Sequence, residues 1–307
     1  MDDLKVYRSP KELIEILQRK GLTINKKKRA EKILTEINYF VLSYYAYIIK
    51  EPDNKDKYRQ GATFNELYRL YQFDKDIKML FLKYIIDVEN EFKNALNHLI
   101  STKYGYNDRD YLRIENFDQH NRFTKRALGN VKEQLRQYGR RNDAVIHYQE
   151  KYGYVPFWVL SKVITMGAIR GLYEVLKPKD QMAIAKHVYD LELPNDPTYA
   201  LEQMLALLVD IRNMSAHDEF VFDFKHKSAC LPRLKEHDKF AIESEGRNDL
   251  LAVLISLKYV IEPRDYQVFL TKFNARIDTL VENCPSISRE YFLSILDLPH
   301  NFMTLFN

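Results

Sequence analysis

A chain of 307 residues is long enough to bury one large core or two modest ones without covalent staples. Its two cysteines, Cys230 and Cys284, lack any CxxC spacing, which excludes a disulfide framework and a thiolate zinc site and suits a reducing compartment. The net charge of +4, from 47 basic against 43 acidic residues, is too mild to announce a polyanion partner, so any such argument must come from how the charge is distributed.

The first residues lead straight into a polar helix without the apolar core of a secretion signal, so no export is expected. The longest apolar stretch, residues 39–49, is too short and too rich in tyrosine for a bilayer span of about 20 residues. The expectation is a soluble, cytoplasmic protein with no membrane contact. Nine glycines, few alternating runs and many segments of 3.6-residue period predict an all-α fold with few or no strands. The 22 tyrosines and 17 phenylalanines are expected chiefly in packing.

Ser9-Pro10 with Glu12 reads as a helix start and Gly21 as its end. A second helix is predicted from about residue 26 toward 38, and its Lys26-Lys27-Lys28-Arg29 opening is placed against the helix dipole. Residues 51–61 read as a polar loop, and Thr63 with Glu66 as a capping box. From 74 to about 104 an apolar stripe runs through Ile77, Leu80, Phe81, Tyr84, Ile85, Val88, Phe92, Ala95, Leu96 and Leu99.

Residues 119–142 are strongly basic: Arg122, Lys125, Arg126, Lys132, Arg136, Arg140 and Arg141 stand against Glu133 alone. Lys125, Lys132, Arg136 and Arg140 are spaced to form one helical stripe, a candidate track for an RNA backbone; a solvated helix face is the competing reading. Pro156-Phe157-Trp158 opens an apolar helix predicted through Gly167 to about residue 176, with Gly167 and Gly171 admitting a neighbouring helix closely. Pro194 and Pro197 then break the chain before another apolar helix. Residues 218–248 are charged and irregular, and two or three helices complete the chain.

The second apolar helix closes on Ile211-Arg212-Asn213-Met214-Ser215-Ala216-His217-Asp218. An arginine with a histidine is a minimal metal-free set for cutting RNA, a base for the 2′-hydroxyl and a cation for the phosphate. Leu201, Met204, Leu205, Leu208 and Ile211 form one apolar face, and Arg212 lands on it, where an anionic partner is required. In an unbroken helix His217 would turn about 140° from Arg212. Either the helix ends near Ser215 and Ala216, or a second protomer completes the site. Asn213 is spaced to hold one imidazole nitrogen of His217. The competing structural reading makes Arg212 half of a buried ion pair and His217 a helix cap. No HExxH, P-loop, GxGxxG or GxSxG is present, so neither metal nor cofactor is expected.

Several blocks resemble the Abi-like proteins of bacterial abortive infection, the AbiD/AbiF group: Ile37-Asn38-Tyr39-Phe40 through Leu42-Ser43-Tyr44, Thr63-Phe64 with Leu67-Tyr68 and Leu70-Tyr71-Gln72-Phe73-Asp74, Val88-Glu89 with Lys93, and Pro156-Phe157-Trp158-Val159-Leu160 followed by Gly167. Tyr44 stands where such proteins often have glycine. The RN…H segment is similar to a HEPN ribonuclease motif. The resemblance implies a HEPN-like helical core over residues 61–225, between an N-terminal helical segment (1–60) and a C-terminal extension (226–307). It assigns Arg212, Asn213 and His217 to the active site and implies a homodimer, since one motif is present. The function expected is phage defence by a metal-independent endoribonuclease that leaves 2′,3′-cyclic phosphates. RNA is the expected partner as substrate, the regulator expected is either a noncoding RNA or an antitoxin, and DNA is not expected. The alternative is a non-catalytic module that holds RNA or a phage protein.

Overall fold

The computed structural model describes residues 6–189, 194–217, 219–239 and 247–306. In chain order the helices are α1 (Pro10–Arg19), α2 (Lys27–Glu36), α3 (Tyr39–Ser43), α4 (Phe64–Lys103), α5 (Asp108–Tyr111), α6 (Thr124–Tyr138), α7 (Asp143–Tyr152), α8 (Phe157–Val163), α9 (Met166–Glu174), α10 (Pro178–Val188), α11 (Pro197–Ala216), α12 (Lys235–Lys239), α13 (Leu250–Val260), α14 (Pro263–Glu282) and α15 (Arg289–Ile295). Among the described residues one two-stranded antiparallel sheet interrupts this all-α order, β1 (Lys50–Glu51) with β2 (Asn54–Tyr58). No described helix is long and apolar enough to cross a membrane.

Local chemistry explains most of the boundaries. Ser9 and Glu12 form a reciprocal capping box at α1, and Gly21 takes φ +93° just beyond it, where a side chain would be strained. Thr63 and Glu66 do the same for α4: the Thr63 N–H donates to Glu66 (2.6 Å) and the Glu66 N–H to the Thr63 hydroxyl (3.2 Å). The stripe expected along α4 is buried, except that Leu99 is half-exposed and Ile100 takes the inner position.

Two expectations need correction. The segment expected as a polar loop, residues 51–61, contains β2. Its residues Asn54 to Lys57 are exposed on both faces, so they carry no alternating pattern to betray a strand. The single helix expected from Pro156 to about 176 is two. Thr165 leaves the helical region at ψ 155°, and its hydroxyl accepts the Ala168 N–H (3.2 Å) to start α9 afresh.

The chain divides into two compact units. One comprises the chain up to Leu80, Met214–Phe224 and the chain from Val268 on. Its core is aromatic: Phe73, Phe222 and Phe292 meet with ring centroids 5.2–5.6 Å apart. The other comprises Phe81–Asn213 and Lys225–Gln267. Within it α13 is buried almost all round, as its near-continuous apolar sequence requires. Beside α13, the buried carboxylate of Glu236 is held by Lys258 (3.2 Å) and by the Tyr259 hydroxyl (2.8 Å).

Candidate functional site

Leu201, Met204, Leu205, Leu208 and Ile211 are all buried along α11, as their spacing predicts, and Arg212 follows them with its side chain 34% exposed. The anion that position requires is Glu89 of α4. One Glu89 oxygen lies 2.7 Å from Nζ of Lys93, one turn on along α4, and the other lies 3.9 Å from Nε of Arg212. The first contact is a close, nearly buried ion pair; the second is beyond hydrogen-bonding reach. Arg212 Nε is accordingly buried without a hydrogen-bond partner, and Nη1 donates only a long bond (3.3 Å) to the Asn213 side-chain oxygen.

The charge balance has a chemical consequence. Lys93 and Arg212 together carry two positive charges against the single negative charge of Glu89. One positive charge remains, on a planar group with unfilled donors and partial access to solvent. That is the character of an oxyanion site. Neither Glu89 nor Lys93 stood out as part of the site in the sequence; their spacing of four on one helix was the available signal.

Asn213 is exposed, and its oxygen is engaged by Arg212, a partner that helical spacing did not suggest. His217 is also exposed and occupies the turn after α11 ends at Ala216, so the turn rather than the helical wheel directs its imidazole. The chain from Glu219 on is held firmly. The Glu219 N–H returns to the Met214 carbonyl (3.1 Å), and the Val221 N–H donates to the buried carboxylate of Asp74 (3.2 Å). Asp74 also accepts from the Tyr45 hydroxyl (2.9 Å) and lies 2.6 Å from Lys78 Nζ. Burial pushes its pKa up, against the opposing pull of Lys78, Tyr45 and the Val221 amide. Phe220 packs edge-on to Tyr45 and Tyr47, and the Tyr47 hydroxyl donates to Asp223 (2.9 Å). These contacts fix the path of residues 219–223.

The basic segment is more varied than its sequence suggests. Lys125, Arg126, Lys132 and Arg136 are exposed on α6, but the helix stops at Tyr138 and so does not carry Arg140 into the expected stripe; Arg140 and Arg141 are exposed in the following turn. Arg136 is neutralised by a two-pronged pairing with Glu133 (3.0 and 2.8 Å). Arg122 lies over the ring of Phe123, 4.6 Å from its centroid. Among the described residues, no group of His, Cys, Asp and Glu gathers into a metal-binding cluster.

The family model described as Abi-like protein matches residues 32–223, a span that includes Asp74, Glu89, Lys93, Arg212 and His217. No curated protein and no solved structure matches the chain.

Proposed function

Because the chain belongs to the Abi-like protein family, whose role is abortive infection, we propose that it is a cytoplasmic phage-defence effector that cuts RNA without a metal ion. One observation carries this reading: Arg212 is partly exposed and stands 3.9 Å from Glu89, so its guanidinium is not saturated by that carboxylate and presents a cation on which a phosphate could bind. His217 takes the proton of the 2′-hydroxyl as that oxygen attacks phosphorus. Arg212 stabilises the charge that develops on the phosphorane, and protonated His217 acts as the acid that gives a proton to the leaving 5′-oxygen as its bond to phosphorus breaks. The products are a 2′,3′-cyclic phosphate and a 5′-hydroxyl. With a single Arg-His segment per chain, the reading includes a homodimer in which two such segments share a cleft.

The test is cleavage of end-labelled RNA in EDTA. Wild type should leave cyclic phosphate ends, and His217→Ala should be slower by roughly 10²- to 10⁴-fold. Equal cleavage by the variant, or 3′-hydroxyl ends, overturns the proposal.

The exposed cations of α6 favour a second reading, in which the protein holds RNA without cutting it. It predicts that induced wild type and Arg212→Ala slow bacterial growth equally.

A further inference from the structure

The unit formed by Phe81–Asn213 and Lys225–Gln267 contains a groove between α6 and α9, about 310 Å³ in volume, that the Arg-His segment does not line. Phe123, Arg126 and Asn130 form one wall, and Arg170 and Glu174 the other. Gly167 and Gly171 also line it. A Cβ at Gly171 would meet Ala127 at 3.9 Å, and one at Gly167 would meet Val209 at 4.0 Å, both ordinary contacts. Helix packing therefore does not require glycine here, although each glycine costs a helix about 1 kcal/mol against alanine.

The walls are preorganised. At one end the Gln134 side chain bridges the helices, accepting the Thr165 N–H (2.9 Å) while donating to the Asn130 side-chain oxygen (3.0 Å). At the other end Asn121 donates to the Glu174 carbonyl (3.0 Å) and accepts the Phe123 N–H (2.9 Å). Within this frame Arg170 is underused: its Nε is buried without a hydrogen-bond partner, and Nη2 reaches Glu174 only at 3.5 Å. Phe123 is 37% exposed, with the Arg122 guanidinium against its ring. Aromatic surface, two guanidiniums and a carboxylate acceptor in a groove of this size suit one nucleotide.

The cationic stripe is a different surface. At about 100° per residue, Lys125, Lys132 and Arg136 lie roughly on the opposite flank of α6 from Phe123, Arg126 and Asn130. We propose that the α6–α9 groove, and not the stripe, is a subsite for one nucleotide of single-stranded RNA, its base stacked on Phe123 and its phosphate between Arg126 and Arg170. The choice of RNA as the ligand rests on the ribonuclease reading above.

Binding of a fluorescent single-stranded RNA oligonucleotide, fully 2′-O-methylated so that 2′-hydroxyl attack cannot occur, tests this by anisotropy with the full-length protein. Phe123→Leu should weaken binding by about 5- to 150-fold. Arg126→Gln and Arg170→Gln should each weaken it and flatten the slope of log affinity against log salt by about 0.7. Lys132→Gln should stay within twofold of wild type, and duplex RNA should compete poorly because its bases cannot leave the stack. Because Phe123 and Arg126 are exposed, those variants remain informative should Arg170→Gln misfold, which thermal melting would reveal. Groove variants that bind like wild type, a Lys132→Gln loss as large as theirs, or efficient duplex competition overturns the proposal. If groove variants weaken binding while wild type cuts no RNA, the subsite stands and the ribonuclease reading falls. If wild type cuts and the groove variants bind and cut normally, the subsite alone falls.

Discussion

Replacing Arg212 with Gln separates a structural arginine from a functional one. The Coulomb attraction of two unit charges about 4 Å apart is about 4 kcal/mol at a near-surface dielectric and about 1 kcal/mol in water. Arg212 and Glu89 are 3.9 Å apart, and with the arginine side chain 34% exposed the pair lies toward the weaker limit. Ordering a long side chain offsets much of what remains. The net loss of folding stability in Arg212→Gln should therefore stay below about 1 kcal/mol. The loss of transition-state stabilisation should be far larger, roughly 10²- to 10³-fold in the cleavage rate, as for removal of an oxyanion donor. Urea denaturation gives the first quantity and single-turnover cleavage of labelled RNA in EDTA the second. A stability loss of about 3 kcal/mol, the scale for breaking a buried pair, together with an unchanged rate for the folded fraction, would refute the assignment.

Glu89→Gln should behave in the opposite sense. It strips the nearly buried ammonium of Lys93 of its counter-charge at 2.7 Å, so stability should fall by about 3 kcal/mol, measured by urea denaturation; a loss below about 1 kcal/mol would mean that Lys93 finds another partner. His226 should make stability depend on pH. Its Nδ1 accepts the N–H groups of Ser228 (3.1 Å) and Ala229 (2.6 Å), and burial holds its pKa below the ordinary 6.5, with the Asp210 carboxylate opposing and Arg170 reinforcing the shift. A depressed folded pKa stabilises above the unfolded value, and that stability is lost as pH falls through the folded one. The melting temperature should thus drop between about pH 7 and about pH 5 by more in wild type than in His226→Gln, and superimposable profiles would rule out the linkage.

Much of this was legible in the sequence because it depends on local chemistry. The capping boxes at Ser9 and Thr63, the buried stripe of α4 and the apolar face leading to Arg212 follow from spacing alone. The break at Thr165 was hidden because an apolar run looks the same through a cap as through a helix, and only the hydroxyl's bond to Ala168 reveals it. The partner of Arg212 was hidden for another reason. Sequence could show that an anion was needed, but Glu89 lies 123 positions away, and no periodicity spans that separation. The glycines Gly167 and Gly171 do lie where neighbouring side chains come close, Val209 and Ala127 at 4.0 and 3.9 Å from an added Cβ, but spacing alone did not show that they also line a groove.

Whether Arg212 works or merely braces the fold can be judged against other arginines of the same chain. Arg136 grips Glu133 with Nε at 3.0 Å and Nη2 at 2.8 Å, and Arg233 grips Asp238 with Nε at 2.9 Å and Nη2 at 2.7 Å. Both are largely exposed, where such geometry adds little to stability, yet Arg136 meets both oxygens of its partner and Arg233 brings two nitrogens to one Asp238 oxygen, so each holds its carboxylate at hydrogen-bonding distance. Arg212 is less exposed, so an unfilled donor is more costly there, yet it stands 3.9 Å from Glu89 with Nε unsatisfied. The nearer cation, Lys93, has taken the close position on that carboxylate. The unsatisfied Nε is shared with Arg170 and Arg247, so what sets Arg212 apart is the combination of that donor with a carboxylate already held by Lys93 at 2.7 Å. The proposed phosphate contact requires donors that the protein itself does not saturate, and the close Lys93–Glu89 pair fits that requirement.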